Sequence, residues 1–255
     1  MKSPIKYVDD HTICLSHLKS IIPKKSIVNS FLFFSGAVEF NLSQSGYFVH
    51  GHTDRYVIYE FWSCMMNDPK TVYDLVTCES FERLRNKKTC SILQKNWPRY
   101  KDPYIRSALF FMLNRLSSTG MLSSGEFVED GINPICLTYL QNFKTANFHL
   151  SHVEQSDISE IIFNNNKCDY ILIPAPRYTQ NLIDGTEMLG IESTKVNHKK
   201  MFETLKKIDS KFVILYDYAP DVFKVYKDYN IAMINRFGKT TNINEKCEKL
   251  IVTNF

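Results

Sequence analysis

The chain has 255 residues and a mass of 29.8 kDa, with 44% hydrophobic and 13% aromatic residues and a formal net charge of +4. This composition excludes a low-complexity or disordered chain and predicts one globular domain with room for an inserted lobe. The most apolar run, 107–113, is far shorter than the ~18 to 20 residues of a membrane helix, so we expect a soluble, cytoplasmic protein without a membrane partner. Seven scattered cysteines without a C-x-x-C pair predict reduced thiols and no metal site.

The first 50 residues alternate between helical and strand patterns. Residues 12–22 carry apolar side chains at helical spacing, and Pro23 ends that run. A buried strand is predicted over 26–33, a helix over 36–44 and a second strand over 47–50. This order is typical of a βαβ unit in a parallel sheet.

The middle of the chain is basic and predicted to be mostly helical. Between residues 83 and 115, nine basic residues face the single acid Asp102, which gives this stretch a charge of +8. Trp97, Tyr100 and Tyr104 lie among these cations, and such a mixture can neutralise phosphates and stack on bases. A solvated helical face with ordinary core aromatics is an equally open interpretation. The candidate nucleic-acid-binding residues are Arg83, Arg85, Lys87, Lys88, Lys95, Arg99, Lys101, Arg106 and Arg115.

Alternation resumes after a turn-rich segment at 117–127. The predicted elements that follow are a strand at 147–150, a helix at 156–164, a strand at 170–173, a helix at 198–208, a strand at 211–216 and a closing strand pair at 231–235 and 249–254. Strands that alternate with helices predict an α/β fold with a mostly parallel, doubly wound sheet. We expect the core to comprise 1–62 and 145–255, with 63–144 inserted as a mainly helical, basic lobe.

Four segments, taken in order, resemble one enzyme family. Lys6-Tyr7 with the helix that ends at Pro23 is similar to an opening K-W-x-G-G-K, and residues 31–42 are similar to E-P-F-x-G-x-G-(S/A)-V-F-x-N. Asn114-Arg115 followed by Gly120 resembles L-N-R-x-x-x-N-G-L, and residues 249–254 resemble L-(L/I)-x-T-N. These are segments of the Dam-type DNA adenine methyltransferases. The resemblance, which spans nearly the whole chain, implies a Rossmann-like methyltransferase fold, S-adenosylmethionine as cofactor and a helical DNA-recognition lobe.

The chain departs from this family at the cofactor segments. The family's G-G-K falls at Asp9, Asp10 and His11, so two carboxylates are expected to face a site for an anionic methionine tail. After the first strand, the family acid falls at Ser30 and the first glycine at Phe34.

Only Gly36 of the two loop glycines remains, and we expect the ring of Phe34 to fill the space that a glycine leaves for the cofactor. The family acid that would bind the ribose corresponds to His52 in this chain, and the nearest acid, Asp54, lies two residues further along.

The catalytic tetrapeptide is also replaced. Ile173, Pro174, Ala175 and Pro176 fall in the slot of D-P-P-Y, whose carboxylate accepts hydrogen bonds from adenine and whose aromatic ring stacks on the extruded base. Isoleucine cannot accept a hydrogen bond. Asp169 and Tyr178 are near this slot but out of register.

Other reactive side chains can be explained by structural roles. His50 and His52 flank Gly51 and are predicted to be turn histidines, because the sequence supplies no third metal ligand. Tyr216 and Tyr218 either line a former base pocket or end a strand, and Cys168 is expected to be structural.

These departures favour a catalytically inactive pseudo-methyltransferase that binds no cofactor and acts as a nucleic-acid-binding or complex-forming protein. One alternative is an active, divergent S-adenosylmethionine-dependent DNA adenine methyltransferase, alone or with a partner subunit. Another is a protein-interaction module of phage or mobile-element origin, since the composition rich in Lys, Asn, Ile and Phe fits an AT-rich genome.

Overall fold

The computed structural model describes residues 2–7, 10–120, 122, 126–154, 157–175 and 196–255. These residues form two compact units. The sheet unit comprises the described residues within 9–54, 145–182 and 194–255, and the helical unit comprises those within 1–8 and 55–144. Each unit is described separately below.

The sheet unit contains one sheet, built from seven strands of the described residues. The strands are β1 (Ile27–Ser30), β2 (Phe48–Thr53), β3 (Phe148–His152), β4 (Tyr170–Pro174), β5 (Lys211–Asp217), β6 (Asn230–Asn235) and β7 (Cys247–Thr253). Their order is β3-β2-β1-β4-β5-β7-β6, with neighbours parallel from β3 to β5 and with β7 antiparallel to both β5 and β6. This is the strand order of the Rossmann-like methyltransferase fold, so the fold class predicted from the sequence is confirmed.

Helices cover both faces of this sheet, because alternate residues of each central strand point to opposite sides. The helices are α1 (Leu15–Ile21), α2 (Ala37–Gln44), α9 (Ile158–Asn164), α10 (His198–Leu205) and α11 (Pro220–Val225). In β4, Tyr170 and Leu172 pack in one buried cluster with residues of α1 and α2. Ile171 and Ile173 pack in a second cluster with residues of α9, α10 and α11.

The helical unit consists of α3 (Tyr56–Asn67), α4 (Pro69–Thr77), α5 (Glu79–Glu82), α6 (Lys87–Asn96), α7 (Pro103–Leu116) and α8 (Pro134–Gln141). Aromatic side chains of α3 and α7 form its buried centre, where Phe61 lies 4.9 Å from Trp62 and 5.0 Å from Phe110 between ring centroids. The side chains of Asp68, Asn86 and Asp102 cap α4, α6 and α7 by accepting hydrogen bonds from backbone N–H groups of the first turn. No helix among the described residues is long and apolar enough to cross a bilayer.

Three boundaries differ from the sequence expectation. Strand β1 ends at Ser30 rather than near 33, since Leu32 adopts a left-handed conformation (φ 60°) that a strand does not allow. Strand β2 continues through Gly51 to Thr53, so the predicted turn there is wrong. Residues 56–62, expected in the core, lie in α3 of the helical unit because that helix packs on α4 and α7.

Candidate functional site

The candidate site lies in the sheet unit at the carboxyl ends of β1, β2 and β4. Ligands of open α/β sheets bind where the strand order reverses, which in this sheet is between β1 and β4. The backbone after β1 is tied to strands on both sides. Phe31 N–H donates to the Leu172 carbonyl of β4 (2.9 Å), and Phe33 N–H donates to the His52 carbonyl of β2 (3.2 Å). These two amides therefore serve the protein's own carbonyl groups rather than a ligand.

The loop after β1 contributes two buried aromatic rings. Phe31 and Phe33 are 0% and 1% exposed, whereas Leu32 and Phe34, which alternate with them, are half-buried. The expectation that Phe34 fills the space of a missing glycine stays a prediction. The rings of Phe31 and Phe33 therefore lie in the protein interior.

Gly36, the retained glycine of the loop, meets another ring of the chain. It caps α2 in a left-handed conformation (φ 65°), which glycine adopts without strain. A Cβ atom at this position would overlap the ring of Phe40, one turn further along α2. The absence of a side chain at Gly36 thus allows the ring of Phe40 to pack against the backbone. The same ring lies 5.8 Å from that of Phe33 between centroids.

A buried carboxylate stands at the amino end of α2. Ser30 Oγ donates a hydrogen bond to Glu39 Oε1 (2.8 Å). Burial raises the pKa of Glu39, and hydrogen bonding to the backbone and to Ser30 opposes that rise. The positive end of α2, a place where helices bind anions, is occupied by the chain's own acid.

His52, at the position expected for the ribose-binding acid, is a buried member of a ring stack. Its ring lies 4.9 Å from that of Phe31 at an interplanar angle of 14°, and 4.1 Å from that of His50. His50 in turn lies 4.6 Å from His149 on β3 and shares a hydrogen bond of 2.8 Å with the Ser151 hydroxyl.

Both ring nitrogens of His52 lack a hydrogen-bond partner among the described residues. Burial, followed by the charges of His50 and His149, lowers the pKa of His52 to about 3, so the ring is neutral at pH 7. Asp54 follows the end of β2 and is half-buried.

At the end of β4, the slot of the catalytic tetrapeptide is apolar. Ile173 and Ala175 are both 0% exposed, and Ile173 pairs with Ile214 of β5. Pro174, between them, is half-buried, while Pro176 and Tyr178 lie outside the described residues. Asp169 is at the opposite end of the strand, where its carboxylate accepts the N–H of Ile27 (2.8 Å), so it cannot replace an acid at the carboxyl end.

His11 reaches this apolar slot from the amino-terminal segment. Its Nε2 lies 3.0 Å from the Ala175 carbonyl, and its Nδ1 is buried without a partner among the described residues. Burial lowers the pKa of His11 to about 4, with a further contribution from Lys249, which forms an ion pair with Asp217. His11 is therefore a neutral group where the resemblance implies a cation.

Of the two carboxylates expected beside His11, the structure describes Asp10. Asp10 is exposed, and its carboxylate accepts the N–H of Thr12 (2.7 Å) at the start of the following helical turn. It therefore caps a turn, and the expectation that Asp10 faces the site stays a prediction. Asp9 lies outside the described residues.

The end of β5 carries a buried polar chain that the sequence did not indicate. His198 Nδ1 lies 2.9 Å from the Tyr216 hydroxyl, which lies 3.1 Å from the Tyr226 hydroxyl. Burial lowers the pKa of His198 to about 4. Tyr218 is half-buried and contacts Phe223 edge to face.

Metal binding finds no support in the described residues, where no group of three or more His, Cys, Asp or Glu side chains is placed to hold an ion. All seven cysteines are free; Cys78 is exposed, Cys168 is half-buried and the others are buried. Burial raises the pKa of Cys168 to about 11, so its thiol is protonated at neutral pH.

Three of the nine candidate cations are used inside the helical unit. Arg106 forms a two-bond ion pair with Glu60 of α3, which is 7% exposed, and also donates to the carbonyls of Tyr100 and Lys101. Arg85 donates to the carbonyl of Val76 (2.6 Å), and Arg115 donates to that of Gly131 (3.0 Å). These guanidinium groups hold helices and loops together.

The other six cations are exposed, and Arg83 pairs with Glu79. The remaining five form no ion pair with any residue that the structure describes. We call these five residues the basic surface: Lys87, Lys88, Lys95, Arg99 and Lys101. Lys88 and Lys95 share one face of α6 with Ile92, which is 54% exposed. Tyr100, between Arg99 and Lys101 in the chain, is 44% exposed.

Two segments that carry the family resemblance contact each other in the helical unit. The buried Asn114 side chain accepts the N–H of Lys6 (2.6 Å) and donates to the carbonyls of Lys6 (2.8 Å) and Gly120 (2.6 Å). Gly120 has a φ of 78°, and a Cβ there would meet the Lys6 carbonyl oxygen at 2.6 Å. Glycine at 120 is therefore required by this close approach.

No family model matches the chain, and no curated protein matches it. Among solved structures, it is similar to a TehB-like SAM-dependent methyltransferase from Corynebacterium glutamicum (9% identity, 96% of this chain and 87% of that chain covered, TM-score 0.41). It is also similar to precorrin-8w decarboxylase from Methanobacterium thermoautotrophicum (10% identity, 100% of this chain and 96% of that chain covered, TM-score 0.37). A third similar structure is the rRNA methyltransferase AviRa from Streptomyces viridochromogenes (9% identity, 95% of this chain and 80% of that chain covered, TM-score 0.33). Since these TM-scores are low, the fold assignment rests on the strand order of the sheet.

Proposed function

We propose that this chain is a non-catalytic, degenerate relative of the Dam-type DNA adenine methyltransferases that binds nucleic acid. One observation carries the proposal: at the carboxyl ends of β1, β2 and β4, side chains of the protein occupy the positions that a ligand and a catalytic acid would need. The fold is kept because these side chains support its core.

The residues present do not fit S-adenosylmethionine. Its methionine carboxylate would meet the buried carboxyl group of Glu39 in the first turn of α2, where the acceptor of the Ser30 hydroxyl already lies. The ring of Phe40 covers Gly36, where the cofactor would approach the backbone. His52 lies at the position expected for the ribose-binding acid, and its neutral ring packs between Phe31 and His50.

The catalytic slot also lacks the groups that adenine methylation needs. The side chains of Ile173 and Ala175 offer no hydrogen-bond acceptor to an amino group, and both are packed in the sheet core. His11 uses one ring nitrogen on the Ala175 carbonyl. An extruded adenine would therefore find neither a carboxylate nor an exposed ring among the described residues of this slot.

Nucleic-acid binding is proposed for the basic surface. Its five cations are exposed without an acidic partner in the described structure, so their charge is available to phosphates. Two of them share a helix face with an exposed isoleucine, and the exposed ring of Tyr100, between Arg99 and Lys101 in the chain, is available for stacking.

The salt dependence of binding tests this function. Fluorescence anisotropy with labelled duplex DNA is measured between about 50 and 200 mM salt, and five phosphate contacts are expected to give a slope of about −4.5 in log affinity against log salt. Lys88→Ala and Lys95→Ala are each expected to reduce the slope by about one. As the matched control, Lys144→Ala removes an exposed cation of the same unit outside the basic surface and is expected to leave the slope unchanged.

Two outcomes would overturn the proposal. A flat salt response, with no binding at 50 mM salt, would remove the nucleic-acid part. Transfer of labelled methyl groups from S-adenosylmethionine to DNA by the purified protein would instead establish the active, divergent enzyme.

A further inference from the structure

A cleft of about 480 Å³ opens in the helical unit beside the basic surface. One wall is a face of α6, on which residues 87, 90, 91 and 94 recur at helical spacing. Its floor is the end of α7, with the buried side chains of Leu113 and Leu116. The opposite wall is formed by Glu126 and Phe127, held in place by the bridge between Ser117 and Phe127. This volume is typical of small-molecule sites.

The groups that line the cleft match the parts of a nucleotide. The half-buried ring of Phe127 lies on one side, with Leu113 and Leu116 below it. The Gln94 amide carries a donor and an acceptor, and the Glu126 carboxylate is an acceptor; neither side chain bonds a described residue. The exposed ammonium of Lys87 stands at the α6 wall and belongs to the basic surface.

We infer that this cleft binds one unstacked nucleobase of a single-stranded nucleic acid. The base stacks on Phe127, its polar edge bonds Gln94 and Glu126, and its phosphate contacts Lys87. A base inside a duplex cannot enter such a cleft, because both of its faces are covered by neighbouring bases. The inference rests on the proposed nucleic-acid binding and adds the form of nucleic acid and the subsite that receives it.

The test compares two DNA octamers of equal charge, oligodeoxyadenylate and an abasic octamer of the same length, by fluorescence anisotropy. The wild-type protein is expected to bind oligodeoxyadenylate about tenfold more tightly, since one base–aromatic stack contributes this order of affinity. An oligoriboadenylate arm shows whether DNA or RNA is preferred. Because the abasic octamer has phosphates but no bases, its affinity measures the contribution of the basic surface without base recognition.

Variants then assign the preference to the cleft. Ser91 is exposed on the α6 wall, so Ser91→Trp fills the cleft without disturbing the core and is expected to abolish the tenfold difference. Ser91→Ala, the matched control, is expected to keep it. Phe127→Leu retains an apolar side chain without a ring and is expected to reduce the difference. Thermal melting confirms that each variant is folded.

The possible failures are distinguishable. Equal affinity of the wild-type protein for both octamers, with a steep salt dependence, would contradict base binding in the cleft and still support the proposed nucleic-acid binding. A preference that survives Ser91→Trp would place base recognition elsewhere and also overturn the cleft. No binding of either octamer at low salt would overturn the proposed function itself.

Discussion

Replacing Phe31 by alanine tests whether the crevice between β1 and β4 is filled from within. Phe31 is 0% exposed, stacks on His52 and belongs to the cluster that joins β4 and β5 to α9, α10 and α11. Truncation of a fully buried phenylalanine typically costs about 3 to 5 kcal/mol, because apolar contacts are lost and a cavity remains. For a chain of this size, such a loss lowers the melting temperature by roughly 6 to 20 °C.

Phe34→Ala in the same loop provides the matched control. Phe34 is half-buried, so the same truncation is expected to cost about 1 kcal/mol or less. Both variants are compared by differential scanning calorimetry, with far-UV circular dichroism to confirm native secondary structure. Functional ligand sites are often stabilised when their own side chains are altered. Equal shifts for the two variants, or a higher melting temperature for Phe31→Ala, would therefore refute the filled crevice.

Three further predictions follow from the buried and exposed charges. The pKa of His52 is about 3 in the folded protein and about 6.5 when unfolded, so the unfolded state binds the proton first as pH falls. As the pH falls from about 6 to 4, His52 lowers the free energy of unfolding by about 1.4 kcal/mol per pH unit. His11 and His198, whose pKa values are also lowered, add slopes of the same sign. His52→Phe is therefore expected to reduce the total slope by about this amount in urea titrations at pH 7, 6 and 5, and an unchanged slope would contradict it. Arg106→Ala leaves the buried Glu60 carboxylate unpaired and is expected to cost about 3 to 5 kcal/mol in urea unfolding, so a loss below 1 kcal/mol would show that the pair is unimportant. Lys95→Ala is expected to change stability by less than about 0.5 kcal/mol while weakening DNA binding, and loss of stability without loss of binding would reverse this assignment.

The alternation of strands and helices could be predicted from the sequence, because it is a local pattern. Residues 170–173 form a short apolar run, typical of a central parallel strand, and they lie in β4. The end of β2 could not be predicted in the same way. His50, Gly51 and His52 have turn-like composition, but pairing with β1 and β3 extends the strand over them. Tertiary pairing outweighs local preference here.

The details of the site depend on contacts between residues distant in sequence. Glu39 at the start of a helix is an unremarkable residue in the sequence; its burial against Ser30 follows from the turn at Gly36. Likewise, the local charge density around Arg106 cannot show that Glu60, 46 residues away, neutralises it. Sequence spacing therefore indicated where the site lies but not which side chains fill it.

The most direct test of the account is calorimetric titration of the purified protein with S-adenosylmethionine. The proposed function has Glu39, Phe40 and His52 in the positions of the cofactor, and it therefore predicts no saturable heat up to millimolar cofactor and no rise in melting temperature. Saturable binding at micromolar concentration, with stabilisation of about 2.7 kcal/mol when the cofactor is at about 100 times its Kd, would contradict it.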